Sequence, residues 1–74
     1  MYEERYKIIG GKIKYYRKLR GLTQEQLGEK VGITAKYLSR IECGQYPQSV
    51  SLPTFMRIIE MLEIKLSKFF EDID

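Results

Sequence analysis

Two pairs of apolar residues constrain this chain more than anything else in it. Leu27 and Val31 stand four apart, and Leu38 and Ile41 three apart. Those spacings align side chains along one face of a helix. Between the pairs lie Gly32, Ile33 and Thr34, a break too short for anything but a tight turn. Gly32 can take the positive φ that ends a helix, and Thr34 is a good N-cap for the next one. Residues 24–43 therefore predict two short helices joined by a tight turn and sharing one apolar seam, with Ile33 contributing to it. Gly28 falls on the inner face of the first, where a missing side chain lets the second cross closely.

Two helices so joined are a helix-turn-helix. The residues around the turn extend the pattern: Ile9-Gly10, Ile13, Tyr16-Arg17, then Gly21-Leu22-Thr23-Gln24, Gly32, Tyr37-Leu38-Ser39-Arg40-Ile41-Glu42 and Gly44. A turn between apolar pairs is a weak signal alone. With GLTQ in front and YLSRIE behind, in frame, it is specific. From Ile9 to about Phe70 the chain resembles the phage repressor and Cro class of helix-turn-helix proteins, also called the xenobiotic-response-element family. The resemblance implies an all-α fold, a five-helix lambda-repressor-like DNA-binding domain occupying residues 1–74 with its helix-turn-helix at 24–43.

Along the chain, residues 3–20 read as a first helix whose buried face is Tyr6, Ile9, Ile13 and Tyr16. Gly10 and Gly11 each weaken it by roughly 1 kcal/mol relative to Ala, so the turns before Gly10 are expected to fray or kink. Gly11 departs from the family pattern, which usually has one glycine here. Lys12, Lys14, Lys18 and Arg20 line its wetter sides, as solubilising charges or as supporting phosphate contacts. Gly21 is the expected C-cap. Thr23 opens the second helix, with Gln26 completing a capping-box spacing, and this helix runs to about Val31. The third runs from Ala35 to about Cys43, where Gly44 stops it. Residues 45–51 have loop composition. Ser51, Leu52 and Pro53 then start a fourth helix to about Leu62, burying Phe55, Ile58, Ile59 and Leu62 with Met56 partly exposed. A short fifth helix from Ser67 to about Asp72 carries Phe69 and Phe70.

Seventy-four residues make one domain with a limited core, of the kind that often gains stability by dimerising. The single cysteine, Cys43, excludes an internal disulfide, and without histidine there is no ordinary zinc set. Neither a cofactor nor a metal is expected: the acidic run Glu71, Asp72 and Asp74 fits no calcium-loop spacing and reads as a solvated tail. No apolar run approaches a membrane span and the first residues hold no signal-peptide core, so a cytoplasmic protein is expected. Charge is divided unevenly. Residues 1–40 hold ten Lys and Arg against four Asp and Glu, and residues 41–74 hold three against six. The half with the helix-turn-helix is the cationic half, which favours a polyanion.

A major groove accepts one α-helix, and the first residues of that helix come nearest the base edges. On the third predicted helix Ala35, Lys36, Ser39 and Arg40 point away from the Leu38/Ile41 seam and are the candidate base contacts. The planar fork of Arg40 can hold guanine O6 and N7 together. Lys36 can reach guanine or a phosphate, Ala35 a thymine methyl. Candidate phosphate contacts are Thr23, Gln24, Thr34, Tyr37, Gln45 and Tyr46. The resemblance implies the role of Gln24, at the first turn of the second helix, where the positive helix end favours an anion in any case. Tyr37 suits packing against the second helix or the following loop better than a phosphate contact; in that loop Gln45, Tyr46, Gln48 and Ser49 are uncharged. The resemblance also implies an internal ion pair, Arg17 with Glu42, and a homodimer formed through the last helices, here Phe69, Phe70, Ile73 and parts of the fourth helix. The two phenylalanines could as well be core.

The function these residues support is sequence-specific binding of double-stranded DNA by a small transcriptional regulator, a repressor, as a homodimer on an inverted repeat. A restriction-modification controller protein is a narrower version of it, suggested by size. A second reading is an antitoxin-type module whose main partner is another protein, a toxin or regulator. An enzyme is poorly supported, because no histidine, nucleophile elbow, phosphate-cradling glycine loop or paired-carboxylate cleft is present.

Overall fold

Three of the helices begin where the sequence puts a short hydroxyl side chain. In a computed structural model, which describes residues 2–45 and 51–71, the helices are α1 (Tyr2–Leu19), α2 (Gln24–Val31), α3 (Ala35–Glu42), α4 (Leu52–Met61) and α5 (Leu66–Phe69). Thr23 caps α2, Thr34 caps α3 and Ser51 caps α4, each hydroxyl oxygen accepting a backbone N–H of the first turn. At α2 the capping box is complete: Thr23 Oγ1 accepts from Gln26 N at 3.0 Å, and Thr23 N donates to Gln26 Oε1 at 2.9 Å. The all-α architecture matches the expectation. No helix among the described residues is long and apolar enough to cross a membrane.

The turn between α2 and α3 is built on glycines. Gly32 has φ 91°, and both Gly32 N and Ile33 N donate to Gly28 O, at 2.7 and 2.8 Å. Gly28 is required for a reason more local than helix crossing. A Cβ there would lie 2.5 Å from Ile33 O, so the missing side chain admits the turn backbone itself.

α1 corrects the expectation at its start. It is one unbroken helix from Tyr2, with no break at Gly10. A Cβ on Gly10 would lie 2.3 Å from Ile41 O and 2.7 Å from Glu42 O, so this glycine is where the backbone of α1 passes over the end of α3. Tyr6 is also corrected: at 40% exposure it leaves the buried face, which is carried by Ile13 with Ile9 and Tyr16 half-buried.

The core is Ile13, Leu27, Val31, Leu38, Ile41, Ile58, Ile59, Leu62 and Phe69. α1 packs on α3, and α2 on both α3 and α4. Phe69, fully buried on the four-residue α5, is the largest side chain in it. Its ring meets Phe55 at 5.7 Å and Tyr16 at 6.5 Å. α5 is shorter than expected: it starts at Leu66 and ends at Phe69, where Phe70 is the C-cap, and does not run on toward Asp72.

Several cations seal helix ends. Lys12 Nζ donates to Phe69 O at 2.8 Å and also to Glu71 O, at the end of α5. Arg20 Nε donates to Leu62 O at 2.8 Å and its Nη2 to Glu63 O at 3.0 Å, at the end of α4. Arg57 Nη1 donates to Val31 O at 3.3 Å, at the end of α2. The last carbonyls of a helix have no intrahelical partner and carry its negative pole, so each contact satisfies an acceptor and a dipole together.

Candidate nucleic-acid interface

α3 presents two distinct sides. Leu38 and Ile41 are fully buried, which fixes the rotation of the helix. Lys36 and Arg40, one turn apart, are then exposed on the outer side, with Ala35 and Ser39 half-buried beside them. The four candidate base-reading residues therefore share one surface, with the two long cations outermost. Thr34 starts this helix, its Oγ1 accepting from Tyr37 N at 3.0 Å. The hydroxyl hydrogen keeps its freedom to donate.

The start of α2 lies next to the start of α3. Lys18, Leu22, Thr23, Gln24, Glu25 and Ala35 line one open depression between the end of α1 and these two helix N-termini, Glu25 being its one acidic side chain. The capping box occupies Gln26 N, and the first-turn N–H groups of Gln24 and Glu25 have no intrahelical acceptor. A phosphate at this depression would meet those N–H groups, the positive helix end and the Thr23 hydroxyl together. Lys18 belongs to this edge although the sequence left it undistinguished from its neighbours. Lys12 and Arg20 are drawn away to helix carbonyls. No sequence spacing separates Lys18 from those two, since the difference lies in which helix end each side chain reaches.

Gln24 is held from behind. Its Nε2 donates to Glu42 Oε1 at 3.0 Å. Glu42 also accepts from Arg17, at 2.7 Å from Nε to Oε2 and 3.2 Å from Nη2 to Oε1. Arg17 Nη1 spans to Leu22 O at 2.8 Å. One bidentate ion pair thus ties α1, the loop before α2, the first residue of α2 and the last residue of α3 into one frame. Arg17 and Glu42 are both buried, as an internal pair must be paired and hydrogen-bonded to exist at all.

The remaining candidates divide. Tyr37 is half-buried and packs against the core, lining a shallow groove with Gly28, Ile33 and Thr54. Gln45 is exposed, its backbone N–H already donating to Arg40 O at 2.9 Å where Gly44, φ 82°, ends α3, so only its side chain remains for an outside contact. Tyr46 lies outside the described residues, as do Gln48, Ser49 and Ile73. Phe69 is corrected: it is fully buried, because the short α5 turns it inward against Phe55 and Tyr16. It is core rather than a surface for a second chain. Phe70 is 40% exposed beside it. Among the described residues no cluster of His, Cys, Asp or Glu is arranged to hold a metal.

The chain matches the helix-turn-helix family over residues 13–69. It is 37% identical over 59 residues to an uncharacterized HTH-type transcriptional regulator of Methanocaldococcus jannaschii, covering 80% of this chain and 86% of that protein. It is 33% identical over 64 residues to the HTH-type transcriptional regulator SlrR of Bacillus subtilis, where it covers 86% of this chain but only 41% of SlrR. Among solved structures, the clp gene regulator ClgR from Corynebacterium glutamicum aligns with a TM-score of 0.79 at 21% identity, over 89% of this chain and 68% of that one, a likeness of fold. The restriction-modification controller protein C.AhdI from Aeromonas hydrophila aligns with a TM-score of 0.76 at 28% identity, over 88% of this chain and 96% of that one.

Proposed function

The chain belongs to the helix-turn-helix family of Cro/C1-type transcriptional regulators and is a DNA-binding regulator; on that premise we propose that it acts as a repressor, binding an inverted-repeat operator as a homodimer. The observation that carries this reading is the outer side of α3. Arg40 and Lys36 stand exposed there on a helix whose rotation is fixed by two fully buried residues. Arg40 reads a guanine through O6 and N7, Lys36 a neighbouring guanine or phosphate, and Ala35 and Ser39 the base edges nearest the helix start. The depression at the start of α2 takes one backbone phosphate on Thr23 and the first-turn N–H groups, with Gln24 and Lys18 at its rim. Thr34 and the side chain of Gln45 add hydroxyl and amide donors along the same edge.

Two copies related by a two-fold axis would read half-sites about 34–36 Å apart. The surface for the second copy is the exposed apolar side of α4 and α5, with Leu52, Met56, Leu66 and Phe70. Bound over a promoter, such a dimer represses by occupying it.

Selection from random duplex DNA at low and moderate salt tests the whole reading. A short inverted repeat that persists as salt rises is the expected result. Enrichment of no sequence, with binding lost on adding salt, would leave only the electrostatic term and overturn sequence-specific repression.

A further inference from the structure

Among the described residues, nothing covers one side of α1. Gly10, Ile13 and Arg17 turn toward α3 and the core. Ile8, Tyr15 and Leu19, seven and four residues apart on the opposite side, are 45%, 60% and 61% exposed. Tyr15 is held upright there, its ring meeting that of Tyr16 edge to face at 5.0 Å. Single exposed apolar residues are ordinary, but a stripe of them along one helix marks an interaction surface.

Gly11 sits inside this stripe, three residues after Ile8 and four before Tyr15. A Cβ there would meet nothing within 4 Å, and its φ is not among the positive ones. Neither packing nor backbone conformation calls for glycine, although glycine is among the poorest helix formers. What the missing side chain provides is a notch in the middle of the stripe, where the backbone of another helix comes close. The flanks are cationic, with Arg5 on one side and Lys7 and Lys14 on the other; the two acidic residues of α1, Glu3 and Glu4, both lie in its first turn, before the stripe begins at Ile8.

We propose that this side of α1 docks an acidic amphipathic helix of a partner protein. Charge decides the occupant. In an antiparallel two-fold pairing of copies about Gly11, Lys7 of one would fall near Lys14 of the other, and a parallel pairing would set the Arg5 flank of one against the Lys7 and Lys14 flank of the other. An acidic helix reverses that sign, its apolar ridge seated over Gly11 between Ile8 and Tyr15 and its carboxylates beside Arg5, Lys7 and Lys14.

The test uses the full chain and a labelled helical peptide with leucines along one face and glutamates on its flanks, read by fluorescence anisotropy. A control peptide carries lysine in place of every glutamate. Binding of the glutamate peptide alone is expected, weakened about tenfold by Tyr15→Glu and by Gly11→Leu. Both variants should melt cooperatively, Tyr15→Glu near the parent and Gly11→Leu above it, since neither position is buried in the fold and leucine is the better helix former, and Tyr15→Glu should keep operator affinity. Gly11→Ala should raise Tm by about 4–8 °C while weakening the peptide. Equal binding of the two peptides, or binding untouched by Tyr15→Glu, would overturn the proposal. So would loss of operator affinity in Tyr15→Glu, which would give this side to DNA. Self-association of the chain abolished by Tyr15→Glu would give it to a second copy, and binding of phosphatidylglycerol vesicles without the peptide would give it to a lipid surface; either also overturns it.

Discussion

Arg17 Nε lies 2.7 Å from Glu42 Oε2, joining the end of α1 to the end of α3 with side-chain exposures of only 8% and 2%. Such a pair adds little net stability over apolar residues of the same volume, but losing one partner strands a buried charge. Arg17→Ala should therefore cost about 3–5 kcal/mol, a large part of the roughly 5–15 kcal/mol that holds a typical domain together. The double replacement Arg17→Met with Glu42→Leu should recover most of that loss. Urea unfolding of the single and double variants decides it; a single replacement as mild as the double one would show that the pair is not electrically isolated from water.

Adjacent glycines of α1 should respond to alanine with opposite signs. Gly10→Ala drives a Cβ to within 2.3 Å of the Ile41 carbonyl oxygen, and because that atom is backbone, the helix crossing itself must open. A loss of about 1–3 kcal/mol is expected, the usual range for overpacking. Gly11→Ala meets open space and should gain about 1 kcal/mol from helix propensity. Thermal denaturation of the two proteins side by side is sufficient, and matching shifts would remove the close crossing from the account.

What was legible in the sequence was local. A cap and the N–H it satisfies lie within three residues of each other, so Thr23, Thr34 and Ser51 marked helix starts directly, and Gly32 and Gly44 marked stops. The seam of Leu27, Val31, Leu38 and Ile41 followed from helical period alone. The partners of long polar side chains were not legible. Lys12 finds Phe69 O, Arg20 finds Leu62 O and Gln24 finds Glu42, acceptors that only the crossing of helices brings near. The Arg17–Glu42 meeting was likewise invisible to spacing and came from resemblance. Phe69 ends a helix of four residues and Phe70 is its C-cap, a stretch too short for a period to say which ring faces inward.

Arg40→Ala is expected to relax base preference at one position in each half-site, a loss of about 1–3 kcal/mol in discrimination. Because Arg40 is exposed, the fold should be unaffected. Repeating the duplex selection with the variant checks this, and an unchanged selected motif would take guanine reading away from Arg40.

Gln24→Ala should instead weaken every duplex to a similar degree, as a lost contact with the backbone does. It also releases Glu42 from one donor, though the two from Arg17 remain, so only modest destabilisation is expected. Titrations of operator and of unrelated duplex at fixed salt separate the cases: a loss confined to the operator would mean that Gln24 acts through the setting of α3 rather than through phosphate.

The proposed homodimer is best tested without touching Phe69. Deleting the chain after Leu66 would remove that buried ring along with any interface, so a change of mass would have two explanations. Met56 and Leu66 offer a cleaner route: they are 39% and 41% exposed and share an open depression between α4 and α5 with Pro53 and Ile64. Leu66→Glu or Met56→Glu places a charge on that surface with little expected effect on the monomer's unfolding. In sedimentation each variant should shift toward the monomer, and operator affinity should fall because two half-sites no longer bind as a unit. A dimer unaffected by both substitutions would move the interface off this side of the domain.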